Sequence, residues 1–253
     1  MGTVQTIQTH ITPYGLDRTL HLYLPDGWEK GTERYPVQYM YDGHNLFFDH
    51  CATYGKSWGL KTFLDQWDKK LIVVGLECNH EGNKRLEEFS PYPIRAKGWE
   101  DIDGTGALLM DWMVGELKPW IDAHYPTIPF RECTAIGGSS MGGLMSLFTI
   151  ARYNRWFSKA ACLSSTLEVT QEFLVREMQE ATIDPDTRVF LSWGSEEYSP
   201  KGALARSTVR NLELNHLLSE KGARTYPYLH YKGRHREADW EKEVPLFMNY
   251  LWK

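Results

Sequence analysis

The chain reads as an α/β protein whose central sheet is mainly parallel and covered by helices on both faces. Short β-branched or aromatic runs alternate with longer helix-like stretches, as strands joined by crossover helices do. Residues 71–76 (LIVVGL) are continuously apolar, as a strand buried on both faces must be. The 253 residues are 42% hydrophobic and 24% charged, which suits a single domain spanning 1–253 with a large buried core.

Taken in order, residues 18–24 alternate and stop at Pro25, as an early strand would, and residues 37–41 form a second strand running straight into Asp42-Gly43. Residues 56–67 look helical and precede the 71–76 strand, while 79–97 is polar, holds two prolines and reads as a long loop over a site. Residues 106–124 carry Leu108, Leu109, Trp112, Met113, Leu117, Trp120 and Ile121 on one broad side at helical spacing, with Pro119 expected to bend or interrupt the helix. The remainder alternates: strand 133–137, helix 141–153, strand 159–163, helix 171–180, strand 188–193, helix 203–221 stopped by Gly222, strand 225–231 and a closing helix 244–252. Ligands of such sheets bind beyond the carboxyl ends of the strands.

A net charge of −5 with no basic block argues against nucleic acid or an anionic membrane as partner. Cys51, Cys78, Cys133 and Cys162 are irregularly spaced and form no CxxC pair, so reduced thiols in a cytoplasmic protein are expected. No apolar run is long enough for a leader or a membrane span.

The strongest chemical signal is Gly138-Ser139-Ser140-Met141-Gly142, a G-x-S-x-G match between a predicted strand and a predicted helix. The register selects Ser140, because Ser139 would need glycine at 141. A sharp strand-to-helix turn lifts a hydroxyl clear of the backbone, and the helix aims its first N–H groups at the reacting centre. The base must follow later, on the loop after the last strand, where His235 lies; His230 falls inside the strand and reads as a packed or edge histidine. The carboxylate that orients the imidazole should follow the preceding strand, at Glu196 or Glu197, with Glu197 preferred. Asp184 and Asp186 stand at that strand's wrong end and read as turn residues.

For the oxyanion, Met141 N–H should be one donor, and the backbone of Gly43 or His44 the second. Trp58, Trp99 and Trp193 lie near the site loops, though packing is the commoner use of such rings. His44, His50, His80 and Glu81 match no metal-ligand spacing, and no metal is expected.

Beyond these readings, the chain resembles the esterase D-like "putative esterase" family, which includes feruloyl esterases, enterobactin-type esterases and mycolyl transferases. The matching stretches are 40–47 (MYDGHNLF), Asn83-Lys84-Arg85 with Glu88-Phe89-Ser90-Pro91, 116–122 (ELKPWID), 138–144 (GSSMGGL) and Gly233 to His235. The resemblance implies a three-layer α/β-hydrolase fold, ester hydrolysis, no cofactor, and Ser140 and His235 as nucleophile and base. The chain departs from the usual family pattern at His44, where glutamine is frequent, and at Glu197, where aspartate is.

The sequence thus predicts a serine-dependent carboxylic-ester hydrolase acting on a small-molecule ester through an acyl-enzyme, with Ser140, His235 and Glu197 as its triad. An acyltransferase with the same residues, or a non-catalytic binding protein on the same scaffold, are the alternatives. The oligomeric state stays open, a homodimer included.

Overall fold

A computed structural model describes residues 1–253. Eight strands build it: β1 (Thr3–Ile11), β2 (Leu16–Leu24), β3 (Val37–Tyr41), β4 (Ile72–Leu76), β5 (Thr134–Ser139), β6 (Lys159–Leu163), β7 (Arg188–Gly194) and β8 (Arg224–His230). They form one sheet in the order β1-β2-β4-β3-β5-β6-β7-β8. β1, β2 and β4 pair antiparallel, and every ladder from β4 to β8 is parallel.

The helices are α1 (Leu60–Gln66), α2 (Lys84–Glu88), α3 (Gly106–Trp112), α4 (Lys118–His124), α5 (Met141–Arg152), α6 (Gln171–Glu180), α7 (Lys201–Glu220) and α8 (Glu237–Leu251). Successive strand residues point to opposite faces, so each central strand feeds two cores. Val74, Ile136, Cys162 and Leu191 pack under Leu144, Phe148, Leu174 and Leu214 from α5, α6 and α7. Val73, Ala161 and Phe190 face the other way, onto Leu64 of α1 and Trp240, Phe247 and Leu251 of α8. Burying a side chain of this size stabilises by about 1.5–3 kcal/mol, which is why the central strands are mostly apolar rather than alternating.

The expected three-layer α/β-hydrolase architecture is present, with three differences of detail. β1 was not anticipated; its residues stay half-exposed on an edge ribbon, so it lacks the apolar run that marked the central strands. α8 begins at Glu237 rather than 244, because Trp240, Val244, Phe247, Met248 and Leu251 form one buried stripe around the internal Pro245. Residues 106–124 are interrupted as Pro119 suggested, by a π-helical turn at Met113–Leu117. Pro119 follows just after that turn, with Leu117 and Lys118 already helical, so the π-helical turn is where the ladder accommodates the N–H the proline lacks. The loop 79–97 holds the short helix α2.

Candidate active site

Ser140 is the single residue between β5 and α5, at φ 57° and ψ −119°. That conformation costs a non-glycine residue roughly 1–3 kcal/mol and persists only where its surroundings impose it. Here they do: Ser140 N–H donates to Leu163 O at 2.9 Å, and Ser140 O accepts from Leu144 N–H and Thr166 N–H at 3.1 Å. A Cβ on Gly138 would lie 2.9 Å from the Gly142 backbone, and one on Gly142 2.9 Å from Tyr41 Cβ. The glycines of G-x-S-x-G are therefore steric requirements of this turn. Met141 opens α5, so its N–H has no carbonyl one turn back to bond. The Ser140 hydroxyl is turned toward Thr166 Oγ1, 3.4 Å away.

His235 lies between β8 and α8, its ring edge-on to Trp240 with centroids 5.1 Å apart. Its Nδ1 is 3.3 Å from Glu197 Oε2. Glu197 lies just past β7, and its side chain is 2% exposed. Its other oxygen, Oε1, accepts from Ser164 Oγ at 2.6 Å and Gly194 N–H at 2.7 Å. Ser164 Oγ in turn accepts from Trp240 Nε1 at 2.9 Å. One carboxylate thus links the turns after β6 and β7, and α8 through Trp240, to the imidazole. Glu196 instead pairs with Arg234 at 2.8 Å on the surface.

His230 ends β8 and pairs through Nδ1 with Glu243 Oε1 at 2.8 Å, inside the protein. Burial pushes the Glu243 carboxyl up to about 7. Asp184 and Asp186 precede β7 and meet Arg131, away from the site.

The turn after β3 begins at Asp42, held in the left-handed region at φ 56°. Asn45 N–H donates to Asp42 O and Leu46 N–H to Gly43 O, so the turn spends neither the Gly43 nor the His44 N–H. Both Asp42 carboxylate oxygens accept from Arg85, through Nε and Nη2 at 2.7 Å each. Burial alone would raise the Asp42 carboxyl, but the Arg85 charge and its hydrogen bonds outweigh it and hold the group low. Gly43 lies so close to β4 that a Cβ there would come 2.3 Å from Gly75 O. His44 is buried, which lowers its pKa; its Nε2 meets Thr53 Oγ1 at 2.8 Å.

A cavity of about 580 Å³ brings Ser140, His235, Asp42, His44 and Arg85 to one surface, with Trp240 among its few apolar walls. Trp58, Trp99 and Trp193 do not line it: Trp58 packs on Trp240 and Phe247, Trp99 packs against the core, and Trp193 donates to Thr208. His44 and His80 meet with ring centroids 4.8 Å apart, whereas His50 stacks on Phe48 and Glu81 stays exposed. Sequence reasoning did not find Ser164, Thr166, Trp240 or the Asp42–Arg85 pair. Their only available signal was that Asp42 and Arg85 fall in stretches shared with the esterase family.

A mostly parallel sheet with a strained serine at its centre and a histidine–carboxylate pair beyond neighbouring strands defines an α/β hydrolase. The chain belongs to the family described as "Putative esterase", whose profile matches residues 12–246, and it is a carboxylic-ester hydrolase. It is 27% identical over 210 residues to the uncharacterized protein YbbA of Bacillus subtilis, covering 81% of this chain and 80% of that one. Among solved structures it resembles an IroE-like serine hydrolase from Shewanella oneidensis (TM-score 0.75, 19% identity, 98% of this chain and 81% of that one). It also resembles a ferulic acid esterase (TM-score 0.72, 18% identity, 100% of this chain and 97% of that one). No helix is long and apolar enough to cross a membrane.

Proposed function

We propose that the protein hydrolyses polar carboxylic esters through an acyl-enzyme on Ser140. The Ser140 hydroxyl swings from Thr166 toward His235, which takes its proton as the oxygen attacks the ester carbonyl. Met141 N–H and the Gly43 or His44 N–H receive the developing oxyanion. His235 then protonates the leaving alcohol and activates the water that releases the acid. Glu197 holds Nδ1–H of the ring and stabilises the imidazolium.

The observation that carries this reading is that one cavity is lined both by a backbone-strained Ser140 and by His235, whose Nδ1 meets a buried, doubly hydrogen-bonded carboxylate. The cavity walls favour a polar ester over a long acyl chain, since charged and amide groups outnumber apolar ones. Kinetics on p-nitrophenyl acetate and p-nitrophenyl palmitate test both parts. Wild-type protein should turn over the short ester at least tenfold faster, with Ser140→Ala and His235→Ala inactive yet folded. Undiminished turnover in either variant contradicts the proposed chemistry, and a preference for palmitate contradicts the substrate class.

A further inference from the structure

Three side chains that the ester chemistry does not use converge on the wall of the same cavity. His44 lies on the turn after β3, and Cys78 and His80 lie just past β4; each brings a ligand atom within 4.8 Å of the other two. Cys78 Sγ is 3.9 Å from His80 Nδ1. Both imidazoles are already gripped by one nitrogen: His44 Nε2 by Thr53 Oγ1 at 2.8 Å, and His80 Nε2 by Glu77 Oε1 at 2.7 Å. A histidine fixed at one nitrogen by an oxygen, with the other left to bind, is the arrangement by which proteins orient metal ligands. His44 is 6% exposed, and its Nδ1 is buried with no hydrogen-bond partner.

We propose that His44, Cys78 and His80 form a binding site for a zinc-class divalent cation, and that its occupation blocks ester hydrolysis. One sulfur and two imidazole nitrogens suit zinc, which takes such ligands tetrahedrally and leaves a fourth position open toward the cavity. Magnesium and calcium prefer oxygen ligands. Bound ligand atoms would sit roughly 3.3–3.8 Å apart around zinc, so the observed spread closes by modest side-chain rotation. Binding is a ligand exchange without redox change: Cys78 gives its thiol proton to solvent, the thiolate and two neutral imidazoles bind the cation, and water fills the open position. His44 also belongs to the turn assigned to the oxyanion, so drawing it onto a cation distorts that turn while the ion takes up part of the cavity that Ser140 lines. The blocking effect rests on the proposed ester chemistry, whereas the binding site does not.

Zinc titration of metal-free protein against a chromogenic chelator tests the site, with cobalt substitution as an optical reporter. One equivalent of zinc should bind, and cobalt should show thiolate charge-transfer absorption. Cys78→Ser and His80→Ala should each weaken zinc at least ~10-fold. His50→Ala should not, and magnesium should not compete. The His80 side chain is 55% exposed, so His80→Ala probes the site without threatening the core. Esterase activity should fall in step with zinc occupancy and return on adding EDTA. Absent stoichiometric uptake, or uptake surviving both Cys78→Ser and His80→Ala, overturns the site. Uptake through Cys78 with undiminished turnover overturns the blocking role. A preparation without esterase activity still reports binding, so failure of the two proposals is separable.

Discussion

Replacing Glu197 by glutamine changes one atom and reverses one hydrogen bond. Glu197 Oε1 accepts two donors, Ser164 Oγ–H and Gly194 N–H, at 2.6 and 2.7 Å. An amide placed there must keep its oxygen on that side, because turning its NH2 toward the backbone N–H would set donor against donor in a buried site, at about 1–3 kcal/mol. The NH2 therefore faces His235 Nδ1, which now has to accept, and the ring is driven to the tautomer with its proton on Nε2. That tautomer cannot take the proton of Ser140. Losing a tautomer-fixing carboxylate of this kind costs roughly 10³–10⁴ in kcat, or about 4–5.5 kcal/mol of transition-state stabilisation. The assay is kcat and KM for p-nitrophenyl acetate alongside the melting temperature. Glu197→Gln should lose kcat with KM and folding little changed, while Glu196→Gln, altering a surface pair with Arg234, should stay within about twofold of wild type. Full activity in Glu197→Gln together with loss in Glu196→Gln would refute the reasoning.

Ser140→Gly should abolish activity yet raise stability, because relief of ~1–3 kcal/mol of backbone strain exceeds the ~0.5–1 kcal/mol entropy cost of glycine; a gain of about 1 kcal/mol reads as a melting temperature roughly 2–4 °C higher, and a lower one contradicts it. Gly43→Ala should lower kcat about 10²-fold in a protein that still folds, since the Cβ, 2.3 Å from Gly75 O, shifts the oxyanion turn; unchanged kcat would remove that turn from the mechanism. Glu243 has a folded pKa of about 7, raised by burial above its ordinary 4.5. Between those values the native state keeps a proton that the unfolded chain has released, so this group's contribution to stability is complete below 4.5 and is lost as pH rises through 7. Urea midpoints at pH 5 and 8 should show a smaller fall in Glu243→Gln than in wild type, by up to about 3 kcal/mol, and equal falls would contradict it.

The parts legible in the sequence were those with a local signature. Residues 37–41 and 159–163 coincide with β3 and β6 because double-sided burial demands mostly apolar runs, broken here only by Gln38 and by Lys159 at the start of β6. Ser140 was legible because its turn dictates glycine two positions away on either side. Chain order places the acid at Glu196 or Glu197 but cannot separate adjacent residues; in the fold the two point to different environments, one buried against Ser164 and one paired with Arg234. Ser164 and Trp240 left no such trace. They act through contacts 33 and 76 residues apart in sequence, between the β6 turn, the β7 turn and α8, which only the assembled sheet creates. Cys78 was illegible as a partner of His44 and His80 for the same reason, and their sequence spacing argued against a metal set, since only the adjacency of β3 and β4 in the sheet brings the three together.

Reaction with a fluorophosphonate, read by intact-protein and peptide mass spectrometry, decides whether Ser140 is the nucleophile and His235 its base. One adduct per chain is expected, on Ser140, forming rapidly in wild-type protein and at least ~10²-fold more slowly in folded His235→Ala. An adduct on another residue, or equally fast labelling of Ser140 without His235, would contradict these roles.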